Sequence, residues 1–509
     1  MTEQDNQNAN PEMANIGISA ITISGFKCFN KEQRIEIKPL TVFAGVNSSG
    51  KSSFMQPVLL MRQTLQAPFV AEGLLLKSPD FVFDSFDQIL SRIPPKAKRL
   101  IIVFSIDKDT DFCFIFKKDK DLLVIDNIDL IFDGKTDNIF RTIDNNKIQI
   151  ANINTILKNM LREIVEKIKK NQTEIEKLSQ LNDSNEINRL KESIEYIVKK
   201  ESYIAQMDRD FYHTSFPKLK NMLQEIIEKI KENQTEIEKL SQLNDYDTVN
   251  RLKSDIEDSI KRGNYIDKLD KDFYRIFFSI YNLIHIPGIR KHPKIIYNKT
   301  SWRSGFVGSF EYYLGSLIHQ WQIFNGEEFS KLTGYLKTLG LARDVEVREI
   351  GGGDLEIMVD RFPAKSDNKR KDMVSLKDVG FGVSQVLPVL AALIAAEPGQ
   401  IVYIEQPELH LHPRAQAALA EPIADAAKRG VRVIIETHSE LLLLGIQTLI
   451  AEKSLPNDIV KLYWFDLNPN GSAKVTGVEP DENGAYGDWP EDFSDISLKA
   501  QSRYLDAAE

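Results

Sequence analysis

The stretch "LTVFAGVNSSGKSSF", residues 40 to 54, decides how the chain is read. A short apolar run ends at Gly45, and Gly45, Gly50, Lys51 and Ser52 then satisfy the spacing Gly-x4-Gly-Lys-Ser. Glycines let the backbone turn tightly, so that successive amides and the next helix's N-terminus point at phosphate oxygens. In that arrangement Lys51 neutralises the outer phosphates of a nucleotide and the Ser52 hydroxyl ligates Mg2+. Asn47, Ser49 and Ser53 fill out the same loop. The apolar "SSFMQPVLLMRQTLQ" that follows reads as a helix, which supplies the strand-loop-helix context a phosphate loop requires. ATP with Mg2+ is the ligand this pattern predicts.

Composition removes several other classes. The chain has 509 residues, 42% hydrophobic and 27% charged, enough for two or three domain-sized units of ordinary soluble character. Its longest apolar run, "VLPVLAALIAA" at 386 to 396, is interrupted by proline and falls short of the roughly 18 residues a membrane span needs. The polar start, residues 1–17, reads as a disordered tail without an export signal. With Cys28 and Cys113 the only cysteines, a disulfide framework is excluded and a reducing cytoplasm is expected. A net charge of -9 argues against a chain coated in nucleic acid.

Working outward from the loop, residues 18–154 alternate in short strand-like runs such as "RLIIVFSI", "FCFIF" and "LLVIDNIDLIF" and read as an N-terminal lobe. Residues 155–278 change character and are internally duplicated. "NQTEIEKLSQLND" begins at Asn171 and again at Asn233, and "NRLK" at Asn188 and Asn250 keeps the same offset of 62. Leu157, Leu161, Ile164, Ile168, Ile175 and Leu178 step by four and three with Asn171 in the missing place, a heptad seam with one polar position. Each copy reads as a helical hairpin turning near "LND", the pair forming an inserted arm. Residues 155–216 carry 11 basic and 11 acidic side chains and 217–278 carry 12 and 13, a balance that suits protein contact better than nucleic acid. Residues 279–475 then alternate helix and strand, which predicts a largely parallel sheet, and 476–509 form a C-terminal extension.

Three further pieces lie beyond the arm. "DVGFGVSQ", 378 to 385, is a glycine-bearing loop opening an apolar helix, a second helix terminus suited to phosphate or an ordinary tight turn. "IVYIEQPELHLHP", 401 to 413, is an apolar strand running into Glu405, followed by Gln406 and, two residues on, Glu408. "VIIETHSE" ends another strand at His438.

With these pieces together, the chain resembles the ABC-type ATPases of the RecF, SMC and OLD branch over nearly all of residues 18 to 500. "DVGFGVSQ" looks like the signature loop of that branch, "IVYIEQPELHLHP" like its Walker B and D-loop, and "ETHSE" like its H-loop. The resemblance implies an α/β ATPase head of mixed and parallel sheet with an inserted helical arm, working as a head-to-tail dimer or a higher oligomer. Nucleotide would lie between one subunit's Gly45 loop and the other's Gly380 loop, where Gly380, Gly382, Ser384 and Gln385 are the signature residues. Glu405 would be the magnesium-side acid, Gln406 would stand in the place of the general base, and His438 would contact the terminal phosphate. Two departures matter. "GFGVSQ" is not Leu-Ser-Gly-Gly-Gln, so either Gly382 or Ser384 can be the phosphate contact. Gln406 is an amide, able to orient water without deprotonating it, and Glu408 is the nearest spare carboxylate.

The leading functional expectation is a slow ATPase switch that controls a separate effector, a nuclease or toxin, in DNA repair or anti-phage defence. A non-hydrolysing ATP-dependent scaffold and an OLD-like nuclease are the alternatives, the latter disfavoured because only about 70 residues follow His438, without the acidic cluster two metals need. DNA stays open as a partner and a membrane does not.

Overall fold

In a computed structural model of the chain, the described residues are 17–67, 73–141 with short interruptions, scattered helical stretches between 165 and 275, 276–489 apart from 291, 302–304, 362–370 and 488, and 502–506. Residues 1–16 of the polar start, the two "LND" turns, and Leu157, Leu161, Ile164 and Leu178 lie outside them. Two compact units result, Met1–Arg141 with Ile276–Glu509, and Thr142–Arg275.

In the first unit, strands β1 (Ala20–Ser24), β2 (Gln33–Glu36) and β3 (Leu40–Gly45) lead into helix α1 (Lys51–Leu65). Strands β4 (Arg99–Ser105), β5 (Thr110–Asp119), β6 (Leu122–Phe132) and β7 (Lys135–Arg141) follow. The second unit contains α2 (Asn185–Gln206). The chain then returns through β8 (Ile284–Ile286), β9 (Tyr297–Asn298), α3 (Leu314–Phe324), α4 (Gly326–Thr338), β10 (Val345–Gly351), β11 (Asp354–Asp360), β12 (Met373–Ser375) and α5 (Phe381–Ala395). It closes with β13 (Ile401–Glu405), α6 (Pro413–Ala418), α7 (Ala420–Lys428), β14 (Arg432–Thr437), α8 (Glu440–Ala451), β15 (Val460–Leu467) and β16 (Ala473–Val478).

These strands make three sheets. One runs β2-β1-β4-β5-β6-β7 and is antiparallel throughout. Its strand β5 explains why: Phe112, Phe114 and Phe116 are fully buried while Cys113 and Ile115 are half-buried, the period of two that a sheet with one better-covered face demands. A smaller sheet runs β10-β11-β12 with β9 also on β11, its hairpin turning through Gly351, Gly352 and Gly353 at positive φ.

The third sheet, β16-β15-β3-β14-β13-β8, positions the site. Its pairings are parallel except at the edge strand β16, and β3, β14 and all of β13 except Glu405 are buried along their length. Continuous apolar strands of this kind need helices on both faces. From residues 383 to 394, α5 is buried in the cluster that joins it to Val402, Ile404, Val433 and Ile435. Strand β3, from the N-terminal stretch, thus lies among strands from the far end of the chain. Arg432 reinforces the junction by donating from one guanidinium nitrogen to the carbonyls of Ile18 (2.7 Å) and Ile37 (3.0 Å).

In the second unit, seam residues Ile168, Asn171 and Ile175 of the first repeat and Ile230 and Asn233 of the second are buried to within 3% exposure. The unit closes at Arg275. Ile276 and Phe277 are buried in the first unit, where Phe277 packs on Phe114 with ring centroids 6.0 Å apart. Because the long-range pairings of the third sheet lie within the first unit, replacing residues 142–275 by a short Gly/Ser linker is expected to leave a folded protein that binds ATP. A truncated chain that is insoluble, or whose ATP affinity by calorimetry is lost, contradicts this division.

Candidate functional site

The phosphate loop leaves β3 at Gly45, whose φ of 137° and close approach to the Phe465 carbonyl leave no room for a side chain. Gly50 precedes α1 at φ 103°, where a Cβ would meet the Cys28 sulfur at 2.6 Å. Between them Ser49 Oγ donates to the Val46 carbonyl at 2.8 Å, while Asn47 is exposed and Ser53 half-buried. Lys51, 5% exposed, folds its ammonium back onto the loop and donates to the carbonyls of Gly45 (3.0 Å) and Val46 (2.7 Å). Burial pulls its pKa down to about 8, against the charges of Glu436 and Glu408, which favour the ammonium.

Two carboxylates stand side by side at the strand ends. Parallel register pairs Glu405 of β13 with Glu436 of β14, and β14 lies between β13 and the loop strand β3. Ser52 Oγ donates to Glu436 Oε2 at 2.7 Å. The buried Tyr403 hydroxyl donates to the other Glu436 oxygen. Burial, together with the neighbouring charge of Glu405, lifts Glu436 to about 7. Glu405 is held differently: Oε1 meets His285 Nε2 at 3.0 Å and Oε2 accepts the Gly288 N–H at 3.2 Å. Burial pushes its pKa up, but the hydrogen bond and charge of His285 outweigh that and leave it below the ordinary value. The His285 ring stacks on Tyr403, 5.2 Å between centroids and 10° from parallel, so one aromatic pair braces both acids.

Gln406 sits at φ 45°, a left-handed conformation uncommon for a side-chain-bearing residue. Its N–H donates to the Glu436 carbonyl at 2.8 Å. The Arg290 guanidinium donates to the carbonyls of Glu405 (2.9 Å) and Gln406 (3.1 Å). Arg290 is deeply buried, which lowers its pKa to about 10 while the charges of Glu408, Glu311 and Glu405 support its cation. Glu408 is 7% exposed, and its Oε1 accepts from the Thr437 hydroxyl (2.8 Å) and the His438 N–H (2.9 Å), tying the turn after β13 to the end of β14. Burial raises its pKa, opposed by those two donors. His438 is half-buried beside the loop, its pKa lowered by burial and the Lys51 charge while the Gly45 carbonyl favours the protonated ring.

Gly45 to Ser53, Glu405, Gln406, Glu408 and His438, drawn from stretches more than 300 residues apart, therefore meet at the ends of three adjacent strands. A phosphate-loop helix facing adjacent strand-end acids is the arrangement an ATPase uses. A family described as "AAA ATPase domain" matches residues 17–443. The chain belongs to that family. Among solved structures, the Smc head domain of Pyrococcus furiosus, with an extended coiled coil and bound to the C-terminal domain of ScpA, is 14% identical, with 97% of this chain and 100% of that chain covered and a TM-score of 0.39. The SMC head domain of Thermotoga maritima is 10% identical, covering 91% and 99%, with a TM-score of 0.35. No curated protein matches significantly.

Gly380, Gly382, Ser384 and Gln385, expected from the sequence as a signature loop, form a separate group. Gly380 is exposed at the start of α5 and Gly382 is half-buried near the His410 carbonyl. Ser384 and Gln385 are buried, and the Ser384 hydroxyl donates to the Phe381 carbonyl at 3.1 Å. Among the described residues no hydrogen bond joins them to the phosphate loop. Sequence reading passed over Glu436, His285, Tyr403 and Arg290. The first had a signal, a lone acid at the end of the apolar run "VRVII". The others had none, because their roles depend on strand neighbours.

Glu436 supplies a pH test. A glutamate in the unfolded chain titrates near 4.3, and here the folded value is about 7. The native protein therefore holds a proton that the unfolded chain releases, and stability contributed by this group is full at low pH, falls between the two values and is flat above. The shift corresponds to on the order of 3 kcal/mol. Glu436→Gln should gain in melting temperature relative to wild type, by a few degrees, as pH rises from 5 to 7.5. Parallel curves of melting temperature against pH for the two proteins would contradict the assignment.

Proposed function

We propose that this ATPase is a slow ATP-driven switch: ATP draws two heads together, and hydrolysis returns them to the open state. Gln406 carries the reading. Phosphoryl transfer passes through a loose transition state in which placing the water matters more than base strength, and an amide can place it. The positive-φ backbone of Gln406, pinned by Arg290 and the Glu436 carbonyl, supports such a placing role. Glu408 is the rival base: its Oε1 accepts from Thr437 and the His438 N–H, while its buried Oε2 has no hydrogen-bond partner among the described residues.

In this proposal Lys51 binds the outer phosphates, Asn47, Ser49, Gly50 and Ser53 contribute loop contacts, and His438 touches the terminal phosphate. Ser52 and Glu405 would hold Mg2+, which would supply positive charge against the phosphates. Hard oxygen donors of this kind fit magnesium. Gly380 and Gly382 of a second subunit, exposed and half-buried, face the nucleotide across a homodimer interface, whereas Ser384 has already committed its hydroxyl. The second unit engages a separate effector, a nuclease or toxin, in DNA repair or anti-phage defence. No helix among the described residues is long and apolar enough to cross a membrane.

One observation favours a second reading, an ATP-dependent scaffold without turnover: Gln406 has no carboxylate to take a proton, and Glu408 is buried and tied through Oε1 to Thr437 and the His438 N–H.

Lys51→Ala is expected to reduce ATP affinity sharply, and unchanged affinity by calorimetry would contradict the role given to the loop. Gln406→Glu should raise the single-turnover hydrolysis rate, where tenfold requires only about 1.4 kcal/mol of added transition-state stabilisation. A large loss in Glu408→Gln, with no gain from Gln406→Glu, would move the chemistry to Glu408. No hydrolysis in any of the proteins would leave the scaffold.

A further inference from the structure

We propose that Glu436 is a positioning residue of the magnesium site, holding the Ser52 hydroxyl so that its lone pairs face the cation. The inference rests on reading the loop as a Mg-ATP site, and adds a residue that neither the loop motif nor the strand carrying Glu405 contains.

A hydroxyl has one hydrogen and two lone pairs. Ser52 spends its hydrogen on Glu436 Oε2 at 2.7 Å, so both lone pairs point elsewhere and are free for a metal. The acceptor is not a mobile surface acid. Glu436 is 2% exposed on an inner strand, where an ionisable side chain is costly unless its hydrogen bonds are satisfied. Its second oxygen is taken by the hydroxyl of Tyr403, whose ring is fully buried and stacked on His285. The carboxylate is therefore oriented from two sides, and the serine from the carboxylate.

Glu405 does not make this contact. His285 and the Gly288 N–H hold its oxygens, while the β14 strand places Glu436 nearer the loop strand β3. Shared register nevertheless puts both acids on one face of the sheet, and magnesium bound to a nucleotide commonly draws on one or two carboxylates. The main chain of Glu436 also receives the Gln406 N–H, so the residue that orients the serine fixes the strand end bearing the water-placing amide.

The test measures ATP binding by calorimetry across a magnesium series and in EDTA, using full-length protein. In Glu436→Gln the magnesium concentration needed for half-maximal enhancement of ATP binding should rise roughly tenfold, the scale of losing a residue that orients a metal ligand. Binding in EDTA should be unchanged or tighter. Ser52→Ala should produce a comparable rise, and the double variant little more than either alone, because Glu436 acts through Ser52. A wild-type magnesium requirement in Glu436→Gln, or fully additive effects in the double variant, overturns the proposal while leaving the Mg-ATP reading intact. Wild-type protein that binds no ATP overturns both. Should Glu436→Gln fail to fold, Tyr403→Phe keeps the ring and removes one donor to the carboxylate. A rise of a few-fold in its magnesium requirement supports the role, and an unchanged requirement then overturns it.

Discussion

The parallel pairing of β3 with β14 is the contact on which the molecule's chemistry depends. Five register pairs, from Leu40 with Val433 to Ala44 with Thr437, join residues some 390 apart in sequence and bring the phosphate loop beside the strand that ends at Thr437, just before His438. Parallel strands cannot be joined by a tight turn, so every neighbour of β3 in this sheet arrives through a long crossover. One such excursion contains the second unit. Its residues leave at 142 and return at 275, and the chain re-enters the sheet only at β8.

That pairing has an electrostatic consequence. A sheet buried on both faces carries its polar groups at strand ends, and here the ends of β13 and β14 present Glu405 and Glu436 at one level. Two acids so placed repel, and the protein offsets this with Tyr403, Ser52, His285 and the Gly288 N–H. A cation at the loop relieves the same repulsion. The site is thus organised before nucleotide arrives, which limits the reorganisation needed during phosphoryl transfer. Lys51 belongs to this balance, since its ammonium rests on loop carbonyls close to both Glu436 and Glu408.

The second unit follows different physics. Its repeats bury isoleucines with one asparagine per seam, and the Asn171 side-chain nitrogen has no hydrogen-bond partner among the described residues. A polar group buried without a partner costs stability. The same residue in both copies ties the duplication to packing rather than to surface chemistry.

Local patterns determined much of this protein. Glycine spacing marked the phosphate loop because only glycine tolerates the positive φ at Gly45 and Gly50, and period-two runs marked β4, β5 and β6 because side chains alternate across a sheet. The family was legible for the same reason, since its motifs are short and contiguous. Tertiary structure decided which acid meets which donor. The resemblance of "IVYIEQ" to a Walker B strand made Glu405 the magnesium-side acid; the structure adds that β14 lies between β13 and β3 and that the Ser52 hydroxyl reaches Glu436. It decided likewise that Glu408 Oε1 meets Thr437 and His438, that Ser384 bonds its own helix, and that His285 and Arg290 contact Glu405. None of these follows from spacing along a chain, because hydrogen bonding between side chains depends on strand order, and strand order is set by the packing of segments hundreds of residues apart.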